Sequence, residues 1–134
     1  MLRCRGLDTV RRRATYEDLL QVPDHLVAEV VNGELITAPR PASAHTRAAS
    51  ALTQDLGPFD RSKGGPGGPG GWSTLFKPDL HLDSDILVPD LAGWRRERMP
   101  ALEDVPYFTQ APDWVCGIVS PSTAQTDRVG KIPI

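Results

Sequence analysis

The sequence predicts a mixed α/β (α+β) domain, with one mixed central sheet flanked by helices. Three observations carry this reading. Residues 25–37 read as a β-hairpin closed by Asn32-Gly33. Two short apolar runs, 85–88 and 114–119, read as buried strands. An alanine-rich stretch at 42–56 and a stretch that opens at Ser120 read as helices on either side of those runs.

In chain order, residues 1–13 form a basic arm with Arg3, Arg5, Arg11, Arg12 and Arg13. Such a charge run reads first as a solvated, unstructured tail and second as a DNA-contacting arm. The domain proper is expected over 14–134. Thr15 and Asp18 have the spacing of a capping box, with Asp in the Glu position. Tyr16, Leu19 and Leu20 give a short apolar face, and Pro23 ends that helix because it cannot donate a backbone hydrogen bond.

The strand at 25–31 turns at Asn32-Gly33, the best two-residue signal for a type I′ turn. It returns over 34–37, until Pro39-Arg40-Pro41 breaks the pairing. The helix at 42–56 has Ser43 as its expected cap and Ala48, Ala51, Leu52 and Leu56 at helical spacing. Residues 57–71 contain seven Gly and three Pro, which predicts a flexible loop. No Gly-Lys-Ser/Thr closes it, so it is not a phosphate-binding loop.

A strand is expected over 72–76 and a turn at Lys77-Pro78-Asp79. The run 85–88 is continuously apolar after Asp85 and so predicts burial on both faces. Residues 93–112 read as irregular, with Arg95, Arg96 and Arg98 exposed. The third buried strand is 114–119, and the helix after Ser120 carries Lys131.

Composition narrows the function. A chain of 134 residues suits one small domain. The net charge of −2 gives no global case for nucleic-acid binding. Cys4 and Cys116 form no CxxC pair, which argues against a structural zinc or a disulfide framework. No apolar run reaches the roughly 20 residues that a membrane span needs. The basic N-terminus lacks an apolar segment behind it, so it is not a secretory signal. The expected compartment is the cytoplasm, with no membrane partner.

The residues with chemistry to offer are Glu29 on the hairpin, Asp85 before its strand, Asp90 five residues on, and Lys131. Acidic groups with a lysine at one sheet edge can hold Mg²⁺ and orient a water for phosphodiester cleavage. Spacing alone favours surface salt bridges over such a site. Ser120, Ser122 and Thr123 lack a nucleophile elbow and read as helix caps. His25, His45 and His81 are too scattered for a metal set. Trp72, Trp94 and Trp114 read as packing residues.

Five segments together resemble the Uma2 family of the PD-(D/E)XK nuclease superfamily. They are 14–20 (ATYEDLL), 26–35 (LVAEVVNGEL), 84–90 (SDILVPD), 111–123 (APDWVCGIVSPST), and Asp127-Arg128 with Lys131. They run through 14–134 in the family's order. The resemblance implies a restriction-endonuclease-like core and a Mg²⁺-dependent DNA endonuclease site. It implies that Glu29 is the hairpin glutamate and that Asp85 is the aspartate of the Pro-Asp step, with Ser84 in place of the proline. Lys131 matches the lysine on the helix after the last motif. Asp85 and Glu29 would then bind metal, Lys131 would orient the water, and His45 would contact substrate.

One departure weighs against activity. The family has a glutamate three residues before its Ser-Pro-Ser-Thr; this chain has Gly117 there, with no ligand atom. The family also continues past Lys131 with a longer helix and a strand, so a C-terminally truncated member is expected here. The sequence therefore predicts an inactive or weakly active nuclease. Its rival is a non-catalytic remnant of the same fold that binds DNA or protein. A truncated sheet is also expected to self-associate as a homo-oligomer.

Overall fold

The structure is a computed structural model, and it describes residues 12–61 and 69–119. The element order is α1 (Tyr16–Leu20), β1 (Leu26–Val31), β2 (Glu34–Pro39), α2 (Ser43–Asp55), α3 (Gly57–Arg61), β3 (Trp72–Phe76), β4 (Leu80–Leu82), β5 (Asp85–Leu87), β6 (Leu91–Arg95) and β7 (Trp114–Cys116). The arm at 1–11, residues 62–68 and the stretch from Ser120 to Ile134 lie outside the described residues, and with them the expected helix, its caps and Lys131.

Local chemistry explains the first half of the chain. The capping box forms: Asp18 accepts the Thr15 N–H at 2.8 Å, and Thr15 Oγ1 accepts the Asp18 N–H at 3.4 Å. Each bond satisfies a donor that the first helical turn leaves open. Asn32 and Gly33 both take positive φ, 52° and 82°, as a type I′ turn requires. That turn sets a six-pair ladder from Leu26↔Pro39 to Val31↔Glu34.

The class is α+β, but the strands divide differently from a single mixed sheet. Among the described residues they make a four-stranded sheet in the order β2-β1-β5-β4 and a three-stranded sheet in the order β3-β6-β7. Every ladder in both is antiparallel. The one parallel contact among the described residues is the isolated bridge Leu80↔Phe108. The chain passes from β5 to β6 through Val88-Pro89-Asp90. Pro89 has no N–H to continue a ladder, and this is where one sheet gives way to the other.

Three further expectations are corrected, and one strand is added. Residues 57–61 are helical rather than loop, because Pro58 sits in a first turn where its missing N–H costs nothing. Asp60 on that turn accepts the Thr74 N–H at 2.8 Å and ties the helix to β3. Leu91–Arg95 is a strand, not irregular chain; Gly93 within it gives room for the Trp114 indole instead of breaking it. Leu80–Leu82 is a further strand, bounded by positive-φ residues at Lys77 and Asp83. Arg96 is half-buried and donates to the Trp72 and Asp60 carbonyls, whereas Arg95 and Arg98 are exposed as expected.

Three smaller points also differ. Ser43 does not cap α2; the N-cap is Ala42, without a side-chain bond. The buried residue of α2 is Ala49, while Ala51 and Leu52 face solvent. The third strand is shorter than expected, and Val115 and Val119 stay 46% and 43% exposed.

The core gathers Val31, Leu80, Leu87, Ala92, Trp94 and Met99 between the sheets. Trp94 is wholly buried, and its indole N–H donates to the Gln110 carbonyl at 3.0 Å. That bond offsets the cost of burying a polar nitrogen. Trp72 and Trp114 are only half-buried. No helix among the described residues is long and apolar enough to cross a membrane.

Candidate active site

The candidate carboxylates Glu29, Asp85 and Asp90 meet the fold at two separate places, one at each end of β5. At its start, Asp85 Oδ1 accepts the Asn32 N–H at 2.9 Å. The carboxylate there braces the hairpin turn. Past the end of β5 the chain crosses between the sheets, and a second group of side chains collects around that crossing.

Glu29 belongs to this second group. It sits in β1, which pairs with β5 at Val30↔Ile86. It is the one buried charged or polar side chain among the described residues, 7% exposed. Its Oε1 accepts the Val88 N–H at 2.8 Å, so the crossing segment is held from below by a carboxylate. A buried carboxylate is costly unless its oxygens are hydrogen-bonded.

Asp90 lies two residues beyond Val88. The β6–β7 ladder runs Gly93↔Trp114, Ala92↔Val115 and Leu91↔Cys116. Carrying that register one residue further sets Asp90 opposite Gly117. The side chain agrees: Asp90 Oδ2 accepts the Ile118 N–H at 2.7 Å. The other oxygen, Oδ1, lies 2.7 Å from Nε2 of His45 on the first turn of α2. An ionised carboxylate only accepts, so His45 Nε2 carries the proton of that bond. Both side chains are largely shielded, 13% exposed for His45 and 14% for Asp90.

The crossing therefore carries two sets of contacts, Glu29 on the Val88 N–H and Asp90 on His45 and the Ile118 N–H, and Asp85 stays at the hairpin. Asp90 is the residue that the sequence pattern ranks behind Asp85. A signal for it is present all the same, since Pro89-Asp90 is an intact Pro-Asp step while Ser84-Asp85 is not. Of the other histidines, His25 is exposed. His81 stacks on Tyr107 at 3.7 Å between ring centres, with Tyr16 edge-on at 4.9 Å. Burial holds the His81 imidazole below its ordinary pKa. Burial, with the charge of Asp90 second, pushes the Cys116 thiol up, which disfavours the reactive thiolate.

The resemblance implies a divalent metal, so the donor set is the test. A hard cation such as Mg²⁺ takes oxygen ligands in near-octahedral array, usually from one or two carboxylates plus waters and phosphate. Among the described residues, no group of three or more His, Cys, Asp and Glu side chains comes together to hold a metal ion. Asp90 and Glu29 are already hydrogen-bonded, and position 117 offers no side-chain donor atom. The described residues do not by themselves fit Mg²⁺. Space for a donor exists, however: a Cβ added at Gly117 meets nothing within 4 Å.

Comparison with known proteins gives three findings. A family model, Uma2, described as "Putative restriction endonuclease", matches residues 13–134. A crystal structure described as "a putative nuclease belonging to DUF820", from Anabaena variabilis, is similar with a TM-score of 0.67 at 22% identity. The similarity covers 86% of this chain and 63% of that one, and at such identity it shows the fold alone. No curated protein matches the chain.

Proposed function

The chain belongs to the Uma2 family, and on that premise we propose that it carries the remains of a DNA phosphodiesterase site centred on Asp90, with cleavage weak or lost because Gly117 supplies no carboxylate. The observation that carries this reading is the cross-strand relation of Asp90 to Gly117, fixed by the ladder and by the Oδ2 bond to the Ile118 N–H. Two acids on neighbouring strand ends can share one centre; here one of the two is gone.

In this reading Glu29 is the second acid, and Lys131 orients the attacking water. The ligand role moves from Asp85 to Asp90, because Asp90 stands opposite Gly117 in the carried register while Asp85 lies at the hairpin turn. Mg²⁺ is the ion that a restored site would take. The protein would act on DNA in the cytoplasm, as a free chain or a homo-oligomer. Gly117 itself favours the second reading, a non-catalytic module that binds DNA or protein.

The deciding experiment is plasmid nicking in Mg²⁺ by the parent chain, by Gly117→Glu, and by Gly117→Glu with Asp90→Ala. Loss of one electrostatic contact to the transition state costs about 10²–10³ in rate. The parent should therefore nick slowly or not at all, Gly117→Glu should gain activity, and the double variant should lose it. Robust parental cleavage that survives Asp90→Ala would reject this site. Salt-sensitive DNA binding without cleavage in Gly117→Glu would favour the binding module.

A further inference from the structure

We propose that His45 is a positioning residue for Asp90, and that the imidazole and the Ile118 N–H together hold this carboxylate in a preset orientation facing position 117. The family resemblance implies a substrate contact for His45. In the structure its Nε2 is instead engaged by Asp90 Oδ1 at 2.7 Å. The use of the preset carboxylate rests on the phosphodiesterase reading; its geometry does not.

An aspartate on a segment between two sheets can turn about two side-chain bonds. One hydrogen bond leaves rotation about its own axis. Two donors on different oxygens remove it, and here they come from α2 and from the chain just after β7. The N···O length falls in the range of charge-assisted bonds. Low exposure of both partners keeps water from competing for them. The imidazole is placed from outside the site, because α2 is anchored one turn later by Ala49, which is 1% exposed. The space at position 117 is open, so a donor introduced there meets a carboxylate whose direction is already set.

The test has two arms on the full chain. In the first, the Ile118 amide resonance is tracked by ¹⁵N NMR. His45→Ala should shift it, His45→Gln should return it toward the parent position, and His25→Ala should leave it alone. Asp90→Asn should move the His45 ring-nitrogen resonance, which keeps this arm decisive if the alanine variant does not fold. In the second arm, Mn²⁺ is titrated into Gly117→Glu. Removing a group that orients a metal ligand typically weakens binding by about 10–100-fold. His45→Ala should do so in this background, and His45→Gln should recover part of the affinity. An Ile118 amide indifferent to His45→Ala, or an unchanged Mn²⁺ affinity, overturns the proposal. If Gly117→Glu takes up no Mn²⁺, the phosphodiesterase reading fails on its own, and the NMR arm still decides the role of His45.

Discussion

The indole of Trp114 lies so close on the backbone of Gly93 that a Cβ added at Gly93 would stand 2.5 Å from its Nε1. The two residues face each other across the β6–β7 ladder. A methyl group there must push the indole away or bend the strand. Overpacking of this kind costs about 1–3 kcal/mol. Gly93→Ala should lower the urea midpoint accordingly and alter the Trp114 fluorescence. An unchanged midpoint would show that the indole can move at no cost.

Asp85 and Asp90 should separate by experiment. Asp85→Ala removes one acceptor from the Asn32 N–H, a net loss of about 0.5–1.5 kcal/mol. In the Gly117→Glu background, nicking should survive Asp85→Ala and disappear with Asp90→Ala. The reverse pattern would return the ligand role to Asp85.

Glu29 should matter for stability as well as chemistry. Glu29→Gln keeps an oxygen for the Val88 N–H and should be more stable than Glu29→Ala. Glu29→Ala leaves that N–H without its acceptor beneath the crossing segment. An unsatisfied buried donor costs about 1–3 kcal/mol. Chemical denaturation of the three proteins measures the difference; equal stability of the alanine and glutamine variants would remove the bond from the account.

His81 predicts a pH effect. Burial lowers its pKa, with Asp79 opposing. The unfolded chain, with an ordinary value of about 6.5, then binds its proton first as pH falls. The contribution to stability is complete above that value and is lost as pH falls through the lower, folded value. Asp79 has the opposite sign in a more acidic window, since burial raises its pKa. NMR titration should place the His81 midpoint below 6.5, and His81→Phe should flatten the loss of melting temperature on mild acidification. A normal His81 midpoint would contradict this.

Features held by short-range chemistry are legible in the sequence. The Thr15–Asp18 box and the Asn32-Gly33 turn each depend on residues within one turn of chain, and both form. The apolar run after Asp85 is visible too, but Pro89 ends its ladder, and the next strand, β6, joins a second sheet. The chain at Gly93 reads as irregular because a glycine in a strand is defined by what packs on it, and Trp114 is 21 residues away. Leu80–Leu82 is too short to announce itself without its partner β5.

The sequence by itself determined the family, the hairpin with Glu29, and the lack of any side chain at Gly117. Those are properties of residue identity and order. It ranked Asp85 ahead of Asp90, although Pro89-Asp90 is the intact Pro-Asp step. The tertiary structure reverses that order. The β6–β7 register brings Asp90 opposite Gly117, and α2 brings His45 to the same carboxylate from 45 residues away in sequence. The hairpin turn takes up Asp85 through the Asn32 N–H. Hydrogen bonds reach about 3 Å, and which groups come within that reach is decided by how distant strands pair.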